Sequence, residues 1–255
     1  SLGLVGAVDD WMKLSGKSHG GMKVSLKLAL QATIGLAVGI MLYLVMLRED
    51  PENASRFYIL FDGYIELGWF YPVMVSLVIV STSNAVNITD GLDGLAGGCL
   101  AISTLAYTFI AYIVGRVDFT AYLGIPYVAL SAETTVFCTA MLGATLGFLW
   151  FNSHPAQVFM GDSGSLPLGG ALGLVACITK QEMLLFFVGG VFVVEAGSSL
   201  LQILSSKLTG KRIFRIAPLH HHFQFKGVQE SKITMRFWIV AILLAVSSLA
   251  LLKLR

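Results

Sequence analysis

Residues 67–115 read LGWFYPVMVSLVIVSTSNAVNITDGLDGLAGGCLAISTLAYTFIAYIVG. Residues 67–89 and 94–115 are uncharged, and each meets the ~20 apolar residues that a helix needs to cross the hydrocarbon core of a bilayer. Between them lie Asp90 and Asp93, each followed by glycine. Carboxylates do not rest in lipid, so the pattern reads as span, acidic loop, span.

Five more runs continue the pattern. Residues 28–47, 134–153 and 163–179 carry no charge, 183–206 carry only Glu195, and 233–252 only Arg236 near their start. Seven spans predict an all-α, polytopic helical membrane protein, a single integral domain over residues 1–255. Composition agrees: 56% of residues are hydrophobic, 13% are charged, and the mean hydropathy is +0.78, whereas a soluble domain is about a quarter charged. A net charge of +2 gives no basis for a nucleic-acid partner. Cys99, Cys138 and Cys177 fall inside apolar runs and read as small core residues. Residues 1–8 read as the tail of a helix, with further residues expected before Ser1.

Counting spans sets the sides. Two separate Asp9-Asp10 from residues 84–93, two more lead to residues 152–162, and two more to His220-His221-His222. The site loops, about 9–23, 84–94, 152–165 and 205–232, therefore share one face. Eleven lysines and arginines fall on that face against six on the other, which makes it cytoplasmic. All five histidines, His19 and His154 among them, fall there too.

Asn87, Asp90 and Asp93 recur every three residues, so in helical geometry they share a face. Glycine beside each carboxylate allows a ligand close to the backbone. The plainer reading is a helix cap, but four polar side chains in ten residues, Asn84 included, exceed what a cap needs. Gly161-Asp162-Ser163-Gly164 opens another helix, where free amides and the helix dipole favour phosphate. Asp162 there suits Mg²⁺, which takes a few carboxylates plus substrate oxygens. Asn152 and His154 lie just upstream. Asp9 and Asp10 point about 100° apart on a helix, so one is placed to face the site while the other holds the loop. Three consecutive histidines cannot all ligate one ion, and carboxylates suit Mg²⁺ better than Zn²⁺; one or two histidines are placed to hydrogen-bond phosphate. Glu195, mid-span beside Gly189, Gly190 and Gly197, reads either as a site residue or as a structural partner.

Asn84-Ala-Val-Asn87-Ile-Thr-Asp90-Gly-Leu-Asp93-Gly94 and Phe159-Met-Gly-Asp162-Ser-Gly-Ser-Leu together resemble the signatures of the polyprenyl-phosphate N-acetylhexosamine-1-phosphate transferase superfamily. Ala217-Pro-Leu-His220-His221-His222-Phe is similar to its phospho-N-acetylmuramoyl-pentapeptide transferase branch. That family has ten transmembrane helices, so the resemblance implies three more before the seven counted here. It implies transfer of phospho-MurNAc-pentapeptide from UDP to undecaprenyl phosphate, giving lipid I and UMP, with Mg²⁺ required. It implies a homodimer in the bacterial inner membrane with a cytoplasmic active site. By motif it implies Asp162 as the Mg²⁺ ligand and Asp9 and Asp10 as catalytic or lipid-phosphate-side acids. Asn84, Asn87, Asp90, Asp93 and Asn152 then line the substrate pocket, Phe159 stacks on uracil, and His220, His221 and His222 contact phosphate or sugar. Two alternatives are an N-acetylglucosamine-1-phosphate transferase, whose histidine run is usually interrupted, and an ion-coupled transporter built on Glu195 and the aspartates.

Overall fold

The computed structural model describes residues 1–15, 21–59 and 63–253. Lys17 and Arg255, counted above in assigning the faces, and His19 lie outside them. Eleven α-helices form among the described residues: α1 (Leu2–Leu14), α2 (Val24–Glu49), α3 (Tyr71–Thr89), α4 (Leu95–Val114), α5 (Val117–Leu123), α6 (Ser131–Asn152), α7 (Gly161–Ile178), α8 (Leu185–Val188), α9 (Gly190–Thr209), α10 (Leu219–Phe225) and α11 (Glu230–Leu251). The exception to an all-helical chain is a short antiparallel hairpin, β1 (Arg56–Tyr58) and β2 (Tyr64–Glu66). Arg56 holds it by lying over the Tyr64 ring at 4.2 Å.

Among the described residues, six helices are long and apolar enough to cross a membrane by length and composition: α2, α3 with the turn before it, α4, α6, α9 and α11. The run at 163–179 forms α7, but its polar first turn and its glycines dilute its apolar character. It nonetheless lies against α3 along most of its length, from Leu166 beside Ser83 to Cys177 beside Tyr71, as a seventh span would. Ser165, Gly169 and Gly173 fall four residues apart on one face, and a Cβ on Gly169 would meet the backbone of Thr82 and Ser83 on α3. Small residues at this spacing let two helix backbones approach closely, which is how helices associate in lipid. Ser83 adds a hydrogen bond to the Leu166 carbonyl at 2.8 Å.

α4 lies at the centre, with Leu95, Cys99, Leu100, Tyr107, Ile110 and Val114 buried. All three cysteines are free and buried. Outward faces stay apolar, as with Met41 and Leu44 on α2, Leu200 and Leu204 on α9, and Leu243 and Val246 on α11. This inversion of the soluble pattern fits a lipid surround. Two turns past the helix break at Gly189, Glu195 is fully buried.

The helix ends position the site. The ends of α1, α3 and α6 and the starts of α2, α4, α7 and α11 carry side-chain and backbone groups that bond to one another, as described next.

Candidate active site

α1 and α7 cross at Gly6, where an added Cβ would overlap the backbone of Asp162 and Ser163. This crossing brings Asp10 onto the start of α7. Its carboxylate accepts hydrogen bonds from the amides of Asp162 at 3.3 Å and Ser163 at 2.9 Å. The amides that the sequence reserves for phosphate are thus taken by a side chain from α1. Asp9 is buried in the same cluster, where it also accepts from the Met22 amide.

Asp162 is the meeting point of four helices. Lys13 of α1 reaches it at 2.9 Å and Lys27 of α2 at 2.6 Å. Asn87, near the end of α3, donates to its other oxygen at 2.6 Å and to Ser165 at 2.8 Å. The same two ammonium groups hold Asp9, at 2.7 and 3.5 Å. Sequence reading used Lys13 and Lys27 only to orient the chain. Lys13 had a local signal, since it falls four residues after Asp9 on one helix face. Lys27 had none, because its partners are distant in sequence.

Asp9, Asp10 and Asp162 each offer an oxygen within 4.8 Å of the others. Two ammonium groups face these three acids, so one negative charge remains. Burial alone would raise the Asp162 pKa, but contacts with Asp9, Lys27, Lys13 and Asn87 hold it below the usual carboxylate range. Burial likewise opposes charge on Lys13, yet Asp9 and Asp162 raise its pKa. Asp90 stands beside the cluster, with no ion pair among the described residues. Burial first, then the negative charge of Asp162 and Asp10, pushes its pKa up to about 6, against a hydrogen bond from the Gly161 backbone. Residual negative potential and an all-oxygen donor set fit a hard divalent cation. The fit requires the lysines to give up carboxylate oxygens, and Lys13, 41% exposed, has room to move.

The raised Asp90 pKa has a thermodynamic consequence. The folded chain binds this proton more tightly than the unfolded chain. The stabilisation is therefore complete below about pH 4 and lost as pH rises through about 6. Asp90→Asn is expected to stabilise the metal-free protein above pH 6 by about 2–3 kcal/mol relative to wild type, and by little at pH 4. Unfolding midpoints in detergent across this range check it; a mutant effect that does not change with pH would refute the assignment.

Asp93 belongs to a neighbouring group. Its carboxylate accepts from the Ala156 amide at 3.0 Å and lies 3.1 Å from His154 Nδ1. Asp93, His154 and Glu230 also have ligand atoms within 4.8 Å of one another, but backbone amides already engage both acids. Asn152 is buried, accepting from the Gly94 amide and donating to the Val158 carbonyl; it holds two loops together. Phe159 is 75% exposed, with its ring free to stack. Asn84 points away from the acids, donating to Gln31 at 2.7 Å.

His220 is fully buried, and its Nδ1 lies 2.9 Å from Glu195. Glu195 also accepts from the His220 amide. The mid-span acid is therefore the partner of a histidine 25 residues on. His220 Nε2 is buried without a hydrogen bond and faces Gly91, where a Cβ would collide with it. His221 contacts Gln224, and His222 accepts from the Arg215 amide. The three histidines thus face three directions, and His220 alone borders the Asp90–Asp93 loop.

On the membrane side, a cavity of about 500 Å³ opens between α3 and α9. Leu77, Val78 and Ala85 line one wall, and Val193, Ala196 and Leu200 the other.

Residues 1–180 match the family described as Glycosyl transferase family 4. A Desulfotalea psychrophila protein named phospho-N-acetylmuramoyl-pentapeptide-transferase is 52% identical over 256 residues, which cover 99% of this chain and 70% of that one. Proteins of the same name from Methylacidiphilum infernorum and Pelobacter propionicus are 47% and 50% identical, again with 70% of their length covered.

Proposed function

This chain belongs to glycosyl transferase family 4, and from that premise we propose that it moves phospho-MurNAc-pentapeptide from UDP to undecaprenyl phosphate, yielding lipid I and UMP. The reading places the reaction at the cytoplasmic face of a bacterial inner membrane. The observation that carries it is the convergence of Asp9, Asp10 and Asp162 with Lys13 and Lys27 at one end of a membrane-spanning bundle. Relatives bearing that enzyme name are identical to this chain at about half of the aligned positions, which cover 70% of their length.

The chemistry follows from the charges. An oxygen of the lipid phosphate attacks the β-phosphorus of the donor, and the bond from that phosphorus to the bridging oxygen of the pyrophosphate breaks, releasing UMP. Phosphoryl transfer needs positioning and charge neutralisation more than covalent assistance. A phosphomonoester, with a second pKa of about 6, is already largely ionised near neutral pH, so the acceptor needs no strong base. Lys13 and Lys27 are placed to hold phosphate oxygens in line. Asp9 orients both ammonium groups, and Asp10 fixes the start of α7 and with it Asp162. Magnesium bound by Asp162, with Asp9 and Asp10 at hand, would neutralise the pyrophosphate and the departing UMP. The Asp90–Asp93 loop, with Asn152 behind it and Phe159 beside it, serves the nucleotide. The α3–α9 cavity suits the polyprenyl chain, because it is apolar and its α3 wall runs to within a turn of Asn87. Assembly as a homodimer among membrane lipids belongs to the same reading.

The test is UMP release by the purified chain from UDP-MurNAc-pentapeptide and undecaprenyl phosphate, with and without Mg²⁺. Release from UDP-N-acetylglucosamine instead would move the assignment to the N-acetylglucosamine branch. A covalent sugar-phosphate adduct formed without lipid would replace direct attack by a two-step route through an aspartate.

A further inference from the structure

Glu230, Thr234 and Trp238 recur every four residues along the start of α11, so they form one stripe on that helix. All three bond to the backbone of one dipeptide 140 residues away in sequence. The Glu230 carboxylate accepts from the Asp93 amide at 2.8 Å, the Thr234 hydroxyl donates to the Asp93 carbonyl at 3.2 Å, and the Trp238 indole N–H donates to the Gly94 carbonyl at 3.2 Å. Asn152 completes the set by accepting from the Gly94 amide. Both amides and both carbonyls of Asp93-Gly94 are thereby held by side chains from other helices. Gly94 caps α4 in the left-handed region, at φ +72°; its carbonyl also accepts from the Gly98 amide at 2.9 Å, so the indole bond is a second one on that oxygen. Gly98 leaves the space the indole fills, since a Cβ there would overlap the ring.

We infer that this stripe of α11 is a positioning device for the donor-binding loop: it fixes where the Asp93 carboxylate stands and thereby sets affinity for the nucleotide-linked donor. The inference rests on the functional reading above and deepens it. It distinguishes donor from acceptor because none of the three residues lines the α3–α9 cavity, whose walls come from other helices and from the hairpin. Glu230 is the sharpest member. A carboxylate that accepts from an amide makes a charge-assisted bond, the stronger kind, and it fixes the residue whose side chain reaches His154 and Ala156.

Glu230→Ala in the full chain is expected to raise KM for the UDP-linked donor about tenfold, the size of one such bond. KM for the polyprenyl phosphate and kcat should stay within about twofold of wild type. Glu230→Gln retains an acceptor oxygen and should restore most of the donor affinity. Trp238→Phe keeps the ring and removes the donor, and should shift donor KM in the same direction. Hydrogen exchange gives a readout independent of turnover: the Asp93 amide should exchange faster in Glu230→Ala and not in Glu230→Gln. An unchanged donor KM would overturn the inference, as would equal rises in both KM values with a parallel fall in the unfolding midpoint. A wild-type chain that releases no UMP would overturn the functional reading instead. Exchange would then decide the clamp alone, and an Asp93 amide indifferent to Glu230→Ala would overturn it.

Discussion

Asp162→Asn is expected to lower turnover by roughly a thousandfold, the scale on which a preorganised charge at a transferring group acts. The amide keeps the shape of the carboxylate and its contact with Asn87 but no longer draws Lys13 and Lys27 inward. The loss should appear in kcat more than in either KM, because Asp162 positions the cations that neutralise the departing pyrophosphate oxygen. Steady-state UMP release at saturating donor and acceptor measures it. Turnover within tenfold of wild type would remove Asp162 from the centre of the mechanism. The unfolding midpoint serves as the control, since a folded but inactive mutant is the expected result.

Gly6→Ala is expected to be the most disruptive single methyl group in the site region. No rotamer relieves a Cβ that lands on the backbone of Asp162 and Ser163, so α1 and α7 must separate. Overpacking of this kind costs about 3 kcal/mol. The separation also shifts Asp9 and Asp10 relative to Asp162, and a displacement of about 1 Å at reacting groups can lower the rate about a hundredfold. Unfolding midpoint and turnover should fall together. Gly143→Ala on α6 is the control: its Cβ would meet nothing within 4 Å, and alanine is the better helix former. A wild-type phenotype for Gly6→Ala would mean that the helix crossing tolerates separation.

The parts of this protein readable from its sequence are those governed by local rules. Apolar runs gave the spans, and the Asp90–Asp93 and Gly161–Ser165 loops stood out because acids and glycines have no bland reason to cluster between spans. Parity correctly brought Asp9, Asn87 and Asp162 to one end. The rest depends on pairings that distance in sequence hides. Lys27 looked like a topology charge, although it bonds Asp162 across 135 residues. Glu195 read as a site residue or a structural partner, and nothing near it in sequence named that partner, which is His220. Asp10 caps a helix that begins 151 residues later, which no periodicity on α1 foretells. The run at 163–179 forms α7, but its apolar character alone did not show that its glycine stripe packs it against α3.

The two lysines that reach into the acid cluster have a consequence for assembly. Three carboxylates brought together in a sparsely hydrated place would repel one another and favour an opened bundle. Lys13 and Lys27 act as resident counter-ions, so helix packing need not wait for a divalent cation to arrive. Folding is thereby separate from loading the proposed magnesium: a newly inserted copy can reach its native arrangement in a metal-poor setting.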